Sequence, residues 1–231
     1  MQIALIVPAL NEEPVIGQML EAVPKLLYSS IVVADNGSTD RTAAIAAAHG
    51  AMVVSEPERG YGAACLRAIA ALPAGIEAVV FMQADLSEDP SEARLLLAPL
   101  QNNTADLVIG TRTQGTAEPG SLLPHQEFGN WLATSLIRLL YGRRYTDLGP
   151  FRAIRRDALE DLRMRERSYG WTVEMQVRAI KQGLRIAEVP VHYRVRVAGE
   201  NKVSGNWKAS IVAGYRIIAT VLRIAATQGS R

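Results

Sequence analysis

AVVFMQADLSEDP, residues 78–90, is an apolar run that ends abruptly in an acidic turn closed by proline. Four further short runs in the first half of the chain are apolar throughout and rich in β-branched residues: IALIVP (3–8), SIVVAD (30–35), AMVVS (51–55) and DLVIG (106–110). Strands without polar alternation are buried on both faces, as in a parallel sheet covered by helices. We therefore predict five strands of a mostly parallel sheet.

Ala- and Leu-rich stretches between these runs predict helices at about 12–27, 39–48, 61–72 and 90–100. Ser38, Thr39 and Asp40 are candidate caps of the second helix, and Asp89 with Pro90 would cap and begin the fourth. Repeated alternation of strand and helix indicates the α/β class, with helices on both faces of the sheet and right-handed crossovers.

The pattern changes after Gly110. Residues 111–124 are rich in Gly, Pro, Thr and Ser and predict a long, mobile loop, of a kind that often serves as a lid. The remaining predicted elements are helices at about 125–141, 156–163, 171–182 and 207–226, a short strand and turn in TDLGPFRAI (146–154), an extended stretch at 184–196 and a loop at 197–205. No internal repeat is visible, and we predict that residues 1–231 form a single domain.

The composition excludes several classes of protein. A chain of 231 residues with 48% apolar and 21% charged residues is typical of a globular protein. A net charge of +2 argues against a nucleic-acid binder with a broad basic surface. The single cysteine, Cys65, cannot form an intrachain disulfide and suits a reducing compartment.

Neither a signal peptide nor a membrane span is predicted. The N-terminus lacks a basic region before its apolar run and is interpreted as a first strand. The longest apolar segment, 209–226, is interrupted by Arg216 and Arg223, and a span needs about 18 uninterrupted apolar residues. We expect a cytoplasmic protein.

Polar residues follow the carboxyl end of each of the five predicted strands. In chain order they are Asn11, Glu12 and Glu13; Asp35 and Asn36; Glu56 and Arg59; Gln83 and Asp85; and Arg112. Any one of these groups could be a solvated turn. Open α/β sheets bind ligands beyond the carboxyl ends of their strands, so five such groups predict a ligand site at that edge.

Other chemistries are poorly supported. RGYGAAC (59–65) resembles the start of a dinucleotide fingerprint, but it follows the third strand and has Cys65 at the third glycine position. Gly60 and Gly62 are better explained by a tight turn or a close approach to a ligand. The three histidines lack metal-ligand spacing, and Ser38 and Ser87 lack a nearby histidine for a hydrolytic triad.

Basic residues of the second half lie beside flexible, Gly-rich turns: Arg112, Arg152, Arg194, Arg196 and Lys202. Each could be a solvated charge. Their position in loops next to an acidic site suits a phosphate-bearing substrate, which needs cationic partners of this kind.

Five motifs together resemble family 2 glycosyltransferases of the GT-A fold, and most closely the dolichol- or polyprenyl-phosphate hexose synthase branch: PALNEE (8–13), VVADNGSTDRT (32–42), MQADLSEDP (82–90), TDLGPFRAI (146–154) and GENKVSG (199–205). The resemblance covers about residues 2–205. It implies a three-layer sandwich with a mostly parallel central sheet. It also implies inverting transfer of a hexose from a nucleotide sugar, UDP-glucose or GDP-mannose, to a phosphate-bearing acceptor such as polyprenyl or dolichyl phosphate.

The resemblance also assigns a donor site. It places Pro8, Ala9, Asn11 and Glu12 in the loop that contacts the nucleoside. Asp35 matches the aspartate that binds the base, Asn36 replaces a second aspartate often found there, and Gly62 lies in the turn that approaches the nucleotide.

Asp85 matches the last aspartate of the D-x-D motif, which in this family ligates Mg²⁺ or Mn²⁺ on the donor diphosphate. Ser87 can supplement that coordination, whereas Gln83 stands in place of the first aspartate and brings no charge. Because Mg²⁺ commonly uses one or two carboxylates plus substrate phosphates, Asp85 alone could suffice with weaker metal binding.

The acceptor side is implied less completely. Arg112, Arg194 and Lys202 match basic positions near the diphosphate or the acceptor's phosphate, and Asp147 and Glu174 lie in acceptor-side motifs. A phosphate acceptor needs no strong general base. An alcohol acceptor would need one, and Asp147 is the candidate for it.

Two alternative functions remain open. One is transfer to a soluble alcohol or saccharide; the other is a nucleotide-binding protein that has lost catalysis, an idea motivated by Gln83.

The helix at 207–226 also has three interpretations, because its apolar stripe (Ile211, Tyr215, Ile218, Leu222 and Ala225) lies on a different face from its basic residues (Lys208, Arg216 and Arg223). It could lie on a membrane surface, dock a membrane-anchored partner, or pack on the domain.

Overall fold

The fold is built around one seven-stranded sheet, as seen in a computed structural model that describes residues 1–197 and 207–226, with side chains given except at 207–213. The strands are β1 Ile3–Ala9, β2 Ser30–Asp35, β3 Met52–Ser55, β4 Ala78–Phe81, β5 Leu107–Thr111, β6 Arg152–Arg155 and β7 Ile186–Pro190. The helices are α1 Ile16–Ala22, α2 Thr42–Ala48, α3 Tyr61–Ala70, α4 Ala93–Gln101, α5 Pro124–Tyr141, α6 Arg156–Leu162, α7 Trp171–Lys181 and α8 Trp207–Ala226. Short 3₁₀ turns occupy Lys25–Leu27 and Pro90–Glu92.

The strand order is β3-β2-β1-β4-β6-β5-β7, and only β6 runs antiparallel to its neighbours. All five strands predicted from apolar runs are present, which confirms the mostly parallel sheet. The β1–β2 register places Ala9 opposite Asp35, so the loops that follow these strands begin side by side. That pairing forms the edge at which the predicted site lies.

The core divides into two apolar clusters, one on each face of the sheet, and this confirms the three-layer sandwich. On one face Phe81 meets Trp171 of α7 edge to face, with ring centroids 6.1 Å apart. On the other face Leu5 packs in the same cluster as Met19 of α1 and Leu96 of α4.

β6 carries a buried charge that changes the interpretation of Arg152. This residue was predicted beside a phosphate, but its side chain is fully buried in the sheet. Its guanidinium donates to the backbone carbonyls of Gly149 and, at 3.0 Å, of Thr172. Arg152 therefore satisfies carbonyl groups under the sheet and is not available to a substrate.

The first two helices are shorter than predicted. α1 begins at Ile16, and in the turn before it the backbone carbonyl of Glu12 accepts the N–H groups of Val15 and Ile16. α2 begins at Thr42, whose N–H donates to Asp40 at 3.0 Å, whereas Ser38 accepts from the N–H of Asn11. Asp40 thus acts at the helix start as predicted, and Ser38 does not.

Asp89 caps the predicted fourth helix, although the first turn there is 3₁₀. Its Oδ1 accepts the N–H of Ser91 at 2.9 Å, and Pro90 is the first residue of the turn. α4 proper then begins at Ala93. Of the predicted loop at 111–124, Thr111 is the last residue of β5 and Pro124 begins α5; residues 112–123 contain no helix or named strand, and Glu118 N–H donates to the carbonyl of Tyr193 at 2.8 Å. The predicted lid thus contacts the segment that follows β7.

α8 packs on the domain through a face that the sequence pattern did not identify. Val221 and Ile224 are buried against α5 and α7, and the hydroxyl of Tyr141 donates to the carbonyl of Val221 at 3.1 Å. In the predicted apolar stripe, Tyr215 is 70% exposed and Leu222 is 48% exposed. Within the described ranges no helix is both long enough and apolar enough to span a membrane.

Candidate functional site

The nucleoside side of the predicted site is formed by the loops after β1 and β2. The N–H of Asn11 donates to Ser38 Oγ at 2.9 Å, and Asn11 Oδ1 accepts the N–H of Thr39 at 2.8 Å. Asp35 is nearly buried at the end of β2, where its Oδ1 accepts the N–H of Ser38 at 3.2 Å. Pro8 and Ala9 end β1 beside it. Four of the residues predicted for nucleoside binding are therefore brought together.

Asn36 has a structural role that an aspartate could not fill. Its Nδ2 donates to the carbonyls of Glu56 and Glu58, at 3.0 and 2.7 Å, while its Oδ1 accepts the N–H of Gly60 at 2.8 Å. A carboxylate has no donor for the first two contacts. The asparagine therefore holds the turn before α3 against the end of β2.

Gly62 approaches protein backbone closely. A Cβ atom built there would lie 2.1 Å from the carbonyl oxygen of Glu166, and the N–H of Ala63 donates to the carbonyl of Arg167 at 2.8 Å. The glycine predicted to approach a nucleotide is thus required for packing the start of α3 on residues 166–167.

Gly62→Ala is expected to lower the free energy of unfolding by about 1–3 kcal/mol, because the added methyl group forces two backbone segments apart. Gly129→Ala is the matched control, since a Cβ at this position in α5 meets nothing within 4 Å. The control is expected to gain about 0.5–1 kcal/mol from helix propensity. Urea denaturation of both variants measures the difference. Equal effects would contradict this account of Gly62.

The acidic turn after β4 brings three oxygen-bearing side chains together. Asp85 is nearly buried, and its Oδ1 accepts from the N–H and the Oγ of Ser87, at 3.0 and 2.5 Å. Ser87 Oγ also lies 3.3 Å from Gln83 Oε1. The residues predicted to hold a divalent cation therefore converge on one corner.

Arg196 lies between this corner and the first loop. Its Nη1 is 3.2 Å from Asp85 Oδ2, and its Nη2 contacts Glu12 Oε2. The guanidinium joins two nearly buried carboxylates that follow β1 and β4. The sequence placed Arg196 among basic loop residues but did not identify it as the cation that contacts Asp85.

The segment that carries Arg196 is also hydrogen-bonded to the acidic turn through Arg194. The N–H of Arg194 donates to the carbonyl of Ser87 at 2.8 Å, and Arg194 Nη2 donates to Asp89 Oδ2 at 2.6 Å. Arg194, predicted near a phosphate, thus lies at the outer end of this turn. Lys202, predicted for the same task, lies outside the described residues.

The corner fits a hard divalent cation on the chemistry of its donors. Asp85, Ser87 and Gln83 offer only oxygen, which Mg²⁺ and Mn²⁺ prefer, and Asp85 Oδ2 already faces a cationic group. No cluster of three or more His, Cys, Asp or Glu side chains suited to a metal occurs in the part of the chain that the structure describes. A cation held here would therefore need further oxygens from substrate phosphates.

Arg112 and Asp147 form a closed ion pair behind this corner. Arg112 Nε and Nη2 donate to the two carboxylate oxygens at 2.8 and 2.7 Å, and the Arg112 N–H adds a third bond at 2.8 Å. Asp147 is fully buried, and its charge and hydrogen bonds raise the pKa of Arg112 although burial opposes them. Both carboxylate oxygens are engaged, so this geometry argues against Asp147 as a general base and against Arg112 as a phosphate ligand.

Both carboxylate oxygens of Glu174 likewise accept hydrogen bonds from other groups of the protein. It is fully buried, its Oε2 accepts the N–H groups of Arg165 and Glu166 at 2.9 and 2.6 Å, and its Oε1 accepts from Arg178 Nε at 2.9 Å. These contacts hold the segment before α7. They argue against the predicted acceptor-side role.

Glu88 is a buried acid that sequence reasoning missed. Its Oε2 accepts the N–H of Gln83 at 2.7 Å, whereas its Oε1 is buried without a hydrogen-bond partner. Burial raises the pKa of this carboxyl to about 8. The position of Glu88 in a polar turn gave no signal that it points inward.

The pKa of Glu88 predicts a pH-dependent contribution to stability. In the unfolded chain the carboxyl loses its proton near its ordinary pKa of 4.5, but in the fold it keeps the proton until about pH 8. The free energy of unfolding is therefore expected to fall as pH rises through this window. Glu88→Gln cannot ionise, so its stability relative to wild type should rise between about pH 5 and 8.

Urea denaturation across that window measures this effect, with the exposed Glu160→Gln as control. If the Glu88→Gln and wild-type profiles stayed parallel, Glu88 would not be protonated in the fold.

Comparison with known proteins identifies relatives along almost the whole chain. The sequence model described as Glycosyl transferase family 2 matches residues 4–163. An uncharacterized glycosyltransferase of Mycobacterium tuberculosis (strain ATCC 25618 / H37Rv) is 38% identical over 213 residues, covering 91% of this chain and 94% of that protein. An undecaprenyl-phosphate mannosyltransferase of Micrococcus luteus is 30% identical over 220 residues, covering 89% and 88%.

A solved structure agrees with the fold. Glucosyl-3-phosphoglycerate synthase from Mycobacterium tuberculosis, in complex with Mn²⁺, UDP-glucose and phosphoglyceric acid, superposes with a TM-score of 0.79. The two sequences are 27% identical, and the match covers 97% of this chain and 80% of the synthase. The expected GT-A-type fold is thereby confirmed.

Proposed function

This chain belongs to glycosyl transferase family 2, and we propose that it transfers a hexose from a nucleotide sugar to the phosphate of a polyprenyl phosphate, with inversion. One observation carries the proposal. The oxygen-bearing corner at Asp85 faces the guanidinium of Arg196. Oxygen ligands suited to a metal-bound diphosphate therefore lie next to a cationic group suited to an acceptor phosphate. The mannosyltransferase relative that acts on undecaprenyl phosphate supports this acceptor class.

The donor would be held by the loops after β1 and β2 and by the Asp85 corner. Asp35 and Asn11 offer hydrogen-bonding groups to the nucleoside. Asp85, with Ser87 and Gln83, would hold Mg²⁺ or Mn²⁺ on the diphosphate, and this cation would supply Lewis-acid stabilisation of the leaving group's charge. The superposed synthase structure, which contains Mn²⁺ and UDP-glucose, supports this assignment.

The acceptor phosphate would be oriented by cationic side chains. Arg196 pairs with Glu12 and Asp85, and Arg194 pairs with Asp89, so each would exchange a carboxylate for phosphate oxygens when the acceptor binds. A phosphate is already an anionic nucleophile at neutral pH, so no general base is required. The commitment of Asp147 to Arg112 is compatible with this chemistry. Attack on the sugar opposite the leaving diphosphate inverts the anomeric carbon.

A second candidate acceptor is a small phosphorylated molecule. The superposed synthase is solved with phosphoglyceric acid, a phosphate-bearing compound that is not a lipid. The same Arg194 and Arg196 would serve either acceptor. An alcohol acceptor that relied on Asp147 as base is disfavoured by the closed pair with Arg112.

A lipid acceptor requires that the protein reach a membrane surface, and we place that contact on α5 and α8. Phe128 and Trp131 of α5 are exposed and pack together at 5.8 Å between centroids, and Tyr215 and Leu222 of α8 are exposed as well. Aromatic rings of this kind favour the boundary between water and lipid.

Replacement of Trp131 by Ser is expected to reduce the fraction of protein that floats with vesicles. Vesicle flotation measures this fraction. The change removes an exposed ring and no described hydrogen bond of that side chain, so folding should be kept. Leu95→Ser, an exposed apolar residue of α4, is the control and is expected to float like wild type. Equal flotation of wild type and Trp131→Ser would contradict the placement.

The function itself is tested by incubating the protein with Mn²⁺, undecaprenyl phosphate and radiolabelled UDP-glucose or GDP-mannose. The expected result is label in the organic phase, at the inverted anomeric configuration. Label in a product confined to the aqueous phase would indicate a soluble acceptor. Failure to transfer from any nucleotide sugar, together with UDP and GDP binding unchanged by Mn²⁺, would leave a nucleotide-binding protein without catalysis.

A further inference from the structure

A cavity of about 370 Å³ lies between the C-terminal ends of α7 and α8 and the segment before α7. Four cationic side chains line it: Arg165, Arg178, Lys181 and Arg223. Among the described residues that line it, Glu174 is the only acidic one. None of these residues belongs to the edge where β1, β2 and β4 end, so the proposed transferase activity makes no use of the cavity.

The two carboxylates near the cavity, those of Glu174 and Glu166, already accept hydrogen bonds from protein groups. Glu174 accepts two backbone N–H groups in addition to Arg178. Glu166, next to the lining, accepts from Arg223 at 3.0 Å and from the N–H of Ser168 at 3.2 Å. Among the described residues, two carboxylates thus face four cations, an excess of about two positive charges that the partial negative charges of the two helix C-termini reduce but do not cancel.

Two of the cations have no acidic partner among the described side chains. No carboxylate among the described side chains forms an ion pair with Arg165 or Lys181. Lys181 Nζ makes one hydrogen bond, to the carbonyl of Ile224 at 3.3 Å, and an ammonium group has three donors. Arg178 uses only its Nε toward Glu174, so the ends of its guanidinium fork remain for a ligand.

We propose that this cavity binds a phosphate-bearing anion. A phosphate monoester carries about −1.5 to −2 charges at neutral pH and presents three acceptor oxygens, which matches the charge excess and the donors around the cavity. Ligand sites in proteins begin at about 300 Å³, so the volume admits a small phosphorylated molecule or a lipid headgroup.

The cavity is connected to the donor side of the molecule. Glu174 holds the N–H groups of Arg165 and Glu166, and the carbonyl of Arg167 in the same segment accepts the N–H of Ala63 at the start of α3. A ligand that bridges Arg165 to α7 and α8 would therefore stabilise the segment on which the turn at Gly62 packs.

The proposal is tested by titrating the ¹⁵N-labelled full chain with inorganic phosphate at constant ionic strength. The expected result is saturable amide shifts in the segment before α7 and at the C-terminal end of α7. The double variant Arg165→Gln/Lys181→Gln should weaken this binding at least tenfold. Both side chains lie on exposed residues, so the variant should fold. Its melting temperature without phosphate checks this.

The control is Lys25→Gln/Arg94→Gln, because these residues line a separate cavity of about 330 Å³ and their replacement removes the same charge. It should bind phosphate as wild type does. Shifts confined to the edge at Asp35 and Asp85, or equal affinities of the two double variants, would overturn the proposal.

A second arm separates the two sources of phosphate. Phosphatidylglycerol and phosphatidylcholine vesicles are compared by flotation of wild type and both double variants. If a headgroup occupies the cavity, extra flotation with phosphatidylglycerol is lost only in Arg165→Gln/Lys181→Gln. If the ligand is a soluble phosphate, all three proteins float alike while the amide shifts persist.

Discussion

Asp85→Asn is expected to lower transfer by about 10²- to 10³-fold and to remove the enhancement of nucleotide binding by Mn²⁺. Asp85 supplies the only carboxylate of the corner formed with Gln83 and Ser87. Asparagine keeps an oxygen that can accept from Ser87, so the turn should be preserved while the charge is lost. The expected loss is therefore one of charge and not of local structure.

Single-turnover transfer and calorimetry with UDP or GDP, with and without Mn²⁺, measure the two effects. Asp161→Asn serves as control, since Asp161 is exposed in α6, distant in the chain from the corner. Retention of the Mn²⁺ enhancement in Asp85→Asn would remove Asp85 from the metal site. The companion Gln83→Asp adds a second carboxylate and is expected to strengthen metal dependence without abolishing transfer.

Arg112→Met is expected to lower the free energy of unfolding by about 3–5 kcal/mol, the largest stability effect that the structure indicates. The substitution leaves the carboxylate of Asp147 without its bidentate partner, and Asp147 has 0% of its surface exposed. A buried charge without a counter-ion is far more costly than the pair itself is favourable. Urea denaturation near neutral pH measures the loss.

Arg156→Met is the control for this experiment. Arg156 pairs with Glu160 one turn along α6, and that carboxylate is 58% exposed, so the control is expected to lose less than about 1 kcal/mol. The double variant Arg112→Met/Asp147→Leu removes both charges and should recover much of the stability. If Arg112→Met cost no more than the control, the pair would not be closed in solution.

Several elements of the fold were predictable because they depend on local composition. β1 and β2 were placed to within a residue, since a strand buried on both faces is apolar along its whole length. Asp89 and Pro90 were identified at the start of the 3₁₀ turn that leads into α4 for a similar reason, because a capping side chain acts within three residues of itself. Each of these signals is complete within a short window of sequence.

The insertion of β6 was not predictable in the same way. Its residues gave a short strand, but its antiparallel place between β4 and β5 depends on pairing with segments that are distant in the chain. Apolar periodicity carries no information on strand direction. The burial of Arg152 follows from that insertion, and for this reason a charged residue in a Gly-rich motif was misinterpreted as a phosphate contact.

The sequence by itself determined the α/β class, the edge at which polar residues gather and the likeness to family 2 glycosyltransferases, because these follow from runs and motifs read along the chain. Only the tertiary structure decided how the charged residues are paired. Arg112 and Asp147 are 35 residues apart, and Arg196 reaches Asp85 across 111. How a charge is compensated in the fold depends on such long-range contacts, since burial makes an unpaired charge costly.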